Sequence, residues 1–359
     1  MFIKGQPDSL KMKEIILQNN RSHAVDKAEL NELIIKAREV YLNNFDNKTW
    51  FERSVFINWT CAIADCKYCF LSTKPKYNSL KGTTAIRSVE SILAEILIST
   101  ALGWKIGYIT GGLRVESADY LIELLDKISL IAGEKVMMNF GPYSRQLVEK
   151  FSPHVSGMGS AVESFDENLH NFICPSKPLK SLLDFLSYLQ EFNKNKLITI
   201  ILGMGEKIKD VDLVIENIRK FEIEKIQLCF LKPQKNTIFS EVPSPDPNYM
   251  AYWISRIRIA CPAVVIKVAL VRSRINDVSL YLQAGANCFS RFMVFSDFGT
   301  SYAEQLEEGC RKASRKLVGE FYKLPDIDVG GLVDKLPFND ELKKKILPKA
   351  KQYYNKLKK

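Results

Sequence analysis

From residue 55 to residue 289 the sequence repeats one alternation, a short apolar run followed by a helical stretch. Runs at 55–59, 106–110, 136–140, 156–162, 197–202, 226–231, 264–270 and 287–289 are too short for helices and are bounded by turn residues, so they read as strands. Between them, residues 88–102, 118–131, 143–151, 179–192, 211–221, 249–260 and 277–284 carry apolar side chains at helical spacing. That alternation predicts parallel strands joined by helical crossovers, an α/β chain closing into a (β/α)8 TIM-type barrel. Residues 8–45 read as helical without a strong breaker, which gives an N-terminal helical extension at 1–50 and a barrel at 51–297. Beyond residue 297 the alternation stops: 302–316 reads as a helix, 324–331 as a loop and 340–356 as a last helix. This defines a C-terminal helical appendage at 298–359.

In a barrel of this kind the loops at the C-terminal strand ends carry the chemistry. The first such loop is Cys61-Ala62-Ile63-Ala64-Asp65-Cys66-Lys67-Tyr68-Cys69. Three thiolates at one strand end can converge on an iron–sulfur cluster, and because four irons want four ligands, one iron is left open to a small molecule. Structural zinc would need a fourth protein ligand, usually from a second closely spaced pair, and no later Cys or His pair supplies it. The other cysteines, Cys174, Cys229, Cys261, Cys288 and Cys310, are isolated and read as small buried side chains. Eight cysteines without a pairing pattern point to a reducing compartment.

Apolar residues make up 46% and charged residues 26% of the chain, enough for a sizeable core. No apolar run is long enough to cross a bilayer, and residues 1–5 lead into polar sequence without a signal-peptide core, so the expectation is a soluble, cytoplasmic protein with no membrane partner. The net charge of +10 raises the question of nucleic acid. Much of the excess lies in the lysine-rich stretch 342–359, which reads as a solvated basic tail; the chain shows neither a second zinc half-site nor RNA-binding aromatics.

The cysteine spacing resembles that of the radical S-adenosylmethionine (SAM) superfamily, which has an aromatic residue ahead of the last cysteine, here Tyr68; the first gap, Ala62 to Asp65, is one residue wider than usual. Tyr108-Ile109-Thr110-Gly111-Gly112 is similar to the family's glycine-rich segment that binds the methionyl ammonium, with Leu113 where many members carry Glu. Glu163, at the end of the fourth strand, resembles the carboxylate that engages the SAM ribose or ammonium in the biotin synthase and hydrogenase-maturation branch. Thr199-Ile200-Ile201-Leu202-Gly203-Met204-Gly205-Glu206 resembles the adenine-binding segment, with Thr199 replacing a glycine. Segments 231–237, 257–262 and 284–288 resemble, in order, those around strands six to eight of biotin synthase, so the resemblance covers roughly residues 30–295.

The resemblance implies a [4Fe-4S] cluster on Cys61, Cys66 and Cys69. It also implies a SAM site drawing on Tyr68, Thr110, Gly111, Gly112, Glu163, Gly203, Met204 and Glu206, and an electron donor as partner. It further implies reductive cleavage of SAM to a 5′-deoxyadenosyl radical that abstracts hydrogen from a small-molecule substrate. The branch grips the SAM carboxylate with an Arg that the helix start at 176–183 lacks; Lys177 or Lys180 could substitute, though each reads first as solvated.

Strand five carries no thiol, which disfavours a second cluster and sulfur insertion by that route. The widened first gap is similar to that of the radical SAM proteins encoded with methanogen iron-only (Hmd) hydrogenase and assigned to biosynthesis of its iron–guanylylpyridinol (FeGP) cofactor. The alternative is another biotin synthase-like activity, either carbon–carbon cleavage or lipoyl- or biotin-type chemistry. Strand seven places Lys267 on one face, where biotin synthase has an Arg holding its second cluster. If inward, Lys267 needs an anion, and with Arg272 at the strand end it is expected to recognise an anionic substrate.

Overall fold

A computed structural model describes residues 9–21, 23–74 and 85–358; residues 1–5, read as lacking a signal-peptide core, and Lys359 of the basic tail lie outside them. The chain begins with α1 (Ser9–Arg21) and α2 (Lys27–Asn44), then β1 (Lys48–Phe56). There follow α3 (Val89–Ala101), β2 (Lys105–Thr110), α4 (Ala118–Ala132), β3 (Met137–Asn139), α5 (Arg145–Phe151), β4 (Gly157–Glu163), α6 (Glu167–Ile173), α7 (Leu179–Glu191) and β5 (Asn195–Leu202). The second half runs α8 (Val211–Lys220), β6 (Lys225–Phe230), α9 (Pro247–Ala260), β7 (Val265–Ala269), α10 (Val278–Gln283) and β8 (Cys288–Ser290). After it come α11 (Val294–Asp297), α12 (Ser301–Lys312), β9 (Lys316–Val318), α13 (Val329–Asp334) and α14 (Asp340–Asn355). Among the described residues, strands β1 to β8 are parallel, and each pairs with the next in chain order; β8 pairs back to β1, closing an eight-stranded α/β barrel.

Period-two alternation sorts each strand's side chains between the two layers. Ile198, Ile200, Ile226, Leu228, Ile266, Val268 and Phe289 face outward into one large apolar layer beneath the helices. The interior is largely polar, with Glu52, Gln227, Lys267 and Ser290 buried there beside Tyr108, Met137 and Leu197. Two register shifts aim side chains inward, as bulges beside functional sites do. Between Arg53 and Ser54 the partner in β2 jumps from Ile106 to Tyr108, so Gly107 is the extra residue and the Tyr108 ring turns inside. Between Ala161 and Glu163 the partner in β5 advances by one, and Glu163 takes a left-handed backbone, φ 63°.

The first strand lies earlier than residues 55–59, at Lys48–Phe56, because Glu52 and Arg53 interrupt its apolar run. Glu52 is buried within the barrel. Among the described residues, the helical stretch expected at 8–45 holds two helices, α1 and α2: Asp26 accepts from Ala28 N and Glu29 N at 2.9 Å each, the N-cap geometry that starts a new helix. Strand β9 adds to the lower edge of β1, where the sequence reading carried the helix on to residue 316. Helix α13 occupies part of the expected loop.

The basic tail is docked rather than free. Ile346, Ala350, Tyr354 and Leu357 are buried, and Tyr353 Oη accepts from Arg87 at 2.8 Å. Helix α3 is apolar on nearly every face, from Ile92 to Ile98, and needs cover on its outer side that α14 supplies. No described helix is long and apolar enough to cross a membrane.

Candidate functional site

The cysteine loop leaves the C-terminal end of β1 and is fastened from both sides. On the β2 side, Gly112 N donates to Asn58 Oδ1 at 2.7 Å, Ala62 N to Leu113 O at 3.0 Å and Leu113 N to the Cys61 sulfur at 3.3 Å. A side chain on Gly112 would stand 1.6 Å from Thr60 O, and one on Gly111 would stand 2.6 Å from Asn58 Oδ1. The glycine pair is therefore what lets the end of β2 lie against the first cysteine. On the far side Lys67 N donates to Ile173 O at 2.8 Å, and Ser176 Oγ bonds Asp65. Cys61 is buried, with Cys66 and Cys69 half-buried, and all eight cysteines are free thiols.

The thiols sit in unequal surroundings. The neighbouring Cys174 thiol holds the Cys66 thiol below its ordinary value, against burial. Burial pushes Cys69 up to about 11 against a hydrogen bond with the Leu71 backbone. Cys61, Cys66 and Glu163 each add to that upward pressure on Cys69, so the three cysteines share one electrostatic neighbourhood. Among the described residues no three His, Cys, Asp or Glu side chains close on a single ion.

Glu163 stands over this loop from β4 with both carboxylate oxygens held. The Tyr68 hydroxyl donates to it, and Lys177 Nζ lies 3.1 and 2.9 Å from its two oxygens and 2.5 Å from Ala161 O. Burial alone would push the Lys177 ammonium down; Glu163, with the Cys174 and Cys66 thiols, holds it above the ordinary lysine range. Tyr68 is held up by burial and then by the neighbouring Glu163 charge. His170 ties the two halves together, one ring nitrogen 2.7 Å from Val162 O and the other 2.7 Å from Lys177 O. Lys177 is thus buried and paired where a solvated side chain was expected, whereas Lys180 is exposed and pairs with Asp184 at 3.0 Å.

The turn after β5 is closed on itself. Glu206 accepts from Gly203 N at 2.7 Å and Met204 N at 2.9 Å; burial raises its carboxyl while His23 and those amides draw it down. The outer carbonyls belong to the N-terminal segment: Asn20 donates to Gly203 O at 2.8 Å, Asn19 to Gly205 O at 2.7 Å, and His23 meets Glu206 O at 2.8 Å. Met204 is buried against α1 through Met12 and Ile16. Thr110 Oγ1 donates to Asn139 O at 3.0 Å.

Lys267 does point into the barrel, and its anion is internal. Glu52 accepts from Lys267 at 2.9 Å, from Lys225 at 2.7 Å and from Trp50 Nε1 at 3.1 Å. Gly107 leaves the space for this cluster, since a Cβ there would lie 2.9 Å from the Glu52 carboxylate. Burial works against the Glu52 charge, but the two ammonium groups hold the carboxyl far below the usual carboxylate range. Arg272 is half-exposed on the rim and pairs with Asp297. The two cations expected to share one substrate anion thus stand in separate ion pairs, Lys267 with Glu52 and Arg272 with Asp297.

A four-iron cluster with SAM fits these residues on two observations. Three thiols share one braced loop, one already receiving a backbone N–H as cluster sulfurs do. Thr60 Oγ1 and Thr199 Oγ1 are buried polar atoms without a partner among the described residues.

The radical SAM superfamily model matches residues 60–218. An uncharacterized protein of Methanocaldococcus jannaschii is 28% identical over 321 residues, 88% of each chain. Biotin synthase of Stutzerimonas stutzeri is 22% identical over 74% of this chain and 77% of its own. Among solved structures, FeFe-hydrogenase maturase HydG of Carboxydothermus hydrogenoformans superposes with TM-score 0.66 at 16% identity, covering 96% of this chain and 87% of that one. Methylornithine synthase gives 0.65 at 16% identity, covering 80% and 83%. The matched segment and the sequence relatives support a radical SAM enzyme, a class that uses a [4Fe-4S] cluster and SAM. The named relatives that match in sequence are biotin synthases, and the solved structures share the barrel fold.

Sequence reasoning passed over Glu52, offered Lys177 only as a substitute grip for the SAM carboxylate, and read Cys174 as an isolated buried side chain. Glu52 had a legible signal, a carboxylate alternating with Phe51 on a strand. Cys174 and Lys177 had none, since only the fold brings the α6–α7 connection against the cysteine loop.

Proposed function

We propose that Cys61, Cys66 and Cys69 hold the [4Fe-4S] cluster, and that the enzyme acts in biosynthesis of the iron–guanylylpyridinol cofactor of Hmd hydrogenase. The observation that carries the first part is the braced three-thiol loop at the C-terminal end of β1, with Glu163 from β4 and Lys177 from the α6–α7 connection behind it. The second part is supported by the four-residue gap between Cys61 and Cys66 and by the relative in a methanogen.

When bound, cluster and SAM supply an electron and a 5′-deoxyadenosyl radical that takes hydrogen from the substrate. The chain's own residues position and enclose. Gly111 and Gly112 set the β2 end against Cys61, and Leu113 N–H steadies its sulfur. Glu163 offers a fixed carboxylate for the SAM amine or ribose, its orientation held by Lys177 and Tyr68. Gly203 to Glu206, backed by α1, form a rigid wall for the adenine end. The barrel wall excludes water from the reacting centre.

The test is anaerobic reconstitution, reduction with dithionite, and incubation with SAM and a panel of pyridinol precursors. A precursor-dependent rise in 5′-deoxyadenosine with a modified pyridinol product is expected. Yields equal to the substrate-free control across the panel would remove the cofactor assignment.

A further inference from the structure

Between the end of α1, the α1–α2 connection and the start of α9 the fold forms a cavity of about 360 Å³. That size falls within the range of small-molecule sites, ~300–1,000 Å³. Among the described residues its polar lining comes from Asn20, His23, Ser244, Asp246 and Asn248, with the Tyr249 ring beside them. Neither the three clustered cysteines nor Tyr68 or Glu163 lines it, so the cavity is separate from the site at the barrel mouth.

The polar groups of this lining are acceptors. Asn20 spends its Nδ2 on Gly203 O at 2.8 Å, and its Oδ1 is buried without a partner among the described residues. His23 is fixed by a stack on Tyr249, ring centroids 4.0 Å apart and planes 7° from parallel. Its Nε2 lies 2.8 Å from Glu206 O, and since a carbonyl only accepts, Nε2 carries the proton. In the neutral ring Nδ1 is then a bare lone pair, and it too is buried without a partner among the described residues. Ser244 Oγ has given its proton to Leu231 O at 2.9 Å, so only its lone pairs remain. Asp246 caps α9 through one oxygen, accepting from Asn248 N at 2.8 Å, and forms no ion pair among the described residues. No lysine or arginine among those residues lines the cavity.

Buried acceptors without donors are unfavourable, and a ligand that brings N–H groups and a positive charge removes that cost. One histidine and one carboxylate are too few to hold a metal ion, and the cavity is far larger than one. We propose that this cavity binds a primary alkylammonium ion. Its three N–H donors match His23 Nδ1, Asn20 Oδ1 and the Asp246 carboxylate, and its chain lies against the Tyr249 and Pro245 rings. Asn20 and His23 hold outer carbonyls of the β5 turn with their other ends, so filling the cavity steadies that turn. Binding here is independent of the radical SAM reading, which bears only on what the turn does for SAM.

The test is isothermal titration of the full chain, wild type against Asp246→Asn and His23→Phe, each checked for its thermal midpoint. Asparagine keeps the N-cap bond to α9, and phenylalanine keeps a ring stacked on Tyr249. Should His23→Phe fail to fold, Asp246→Asn carries the comparison alone. The probes are n-butylammonium, n-butyltrimethylammonium, which has the charge but no N–H, and butyrate, which has the opposite charge. Butylammonium is expected to bind the wild-type chain at least fivefold more tightly than the other two probes, and to weaken at least fivefold in each folded variant. When it binds, hydrogen exchange of the Gly203 and Met204 amides, which donate to Glu206, is expected to slow at least threefold. Absence of butylammonium binding, equal binding of either other probe, or wild-type affinity in Asp246→Asn would overturn the proposal. Binding with unchanged exchange at those amides would overturn the link to the β5 turn.

Discussion

Lys177 Nζ lies 2.9 Å from a carboxylate oxygen of Glu163, both side chains buried, directly behind the loop that carries the three clustered cysteines. A buried pair of this kind is held by its own geometry, and removing one partner leaves an uncompensated charge at a cost of about 3–5 kcal/mol. Lys177→Met is therefore expected to lower the thermal midpoint strongly, and the double variant Glu163→Gln/Lys177→Met to recover most of the loss. SAM affinity separates structure from binding. If Glu163 also bonds SAM, that charge-assisted bond is worth about 1.5–3 kcal/mol, so Glu163→Gln and the double variant should both bind SAM roughly ten- to a hundredfold more weakly. A stable double variant with wild-type SAM affinity would show that the pair only builds the wall.

The Glu52 cluster on the barrel floor makes the protein sensitive to acid. The Glu52 carboxyl is held far below its ordinary value by Lys267 and Lys225, so below about pH 4.5 the unfolded chain takes up a proton that the folded chain refuses. Its contribution to stability is thus present above that pH and is lost progressively as pH falls toward the folded value. Urea unfolding followed from pH 7 to pH 3 should show this acid limb in the wild-type chain. In Glu52→Gln the limb should be flatter, and stability at pH 7 should be lower by about 3–5 kcal/mol, since Lys267 is left without its counter-ion. An unchanged limb would mean that Glu52 is not charged in the folded state.

Cys174, buried behind the loop, is the neighbour that most lowers the Cys66 thiol, as a hydrogen-bond donor to its sulfur would. Hydrogen bonds to ligand sulfurs help set the potential of an iron–sulfur cluster by stabilising the reduced form. Cys174→Ala should keep its full iron content while its reduction midpoint moves to a more negative value. Loss of iron in this variant would instead make Cys174 a ligand in its own right.

The barrel was legible because its outward strand positions are apolar without interruption, as in Ile226, Leu228 and Phe230 or Ile266, Val268 and Leu270. The one strand misplaced was β1, where Glu52 and Arg53 break the run; both charges are paired, with Lys267 and with Glu95, at contacts no local pattern encodes. The cysteine loop was legible because its members are neighbours in sequence. Lys177 was read as solvated because its partner is set by a register shift in β4, and the inward turn of Lys267 was readable while its anion was not. The N-terminal helical extension was legible, but the asparagine bonds of α1 to the β5 turn depend on how two distant segments dock.

The most direct measurement is the iron and acid-labile sulfide content of the anaerobically reconstituted chain, wild type against Cys61→Ala, Cys66→Ala and Cys69→Ala. If the three thiols hold a four-iron cluster, the wild-type chain should carry about four irons and four sulfides per chain. Each variant should lose most of both, and Cys66→Ala should form no 5′-deoxyadenosine from SAM. A wild-type chain that takes up zinc and no iron, or full iron content and 5′-deoxyadenosine yield in Cys66→Ala, would contradict the assignment of the cluster to this loop.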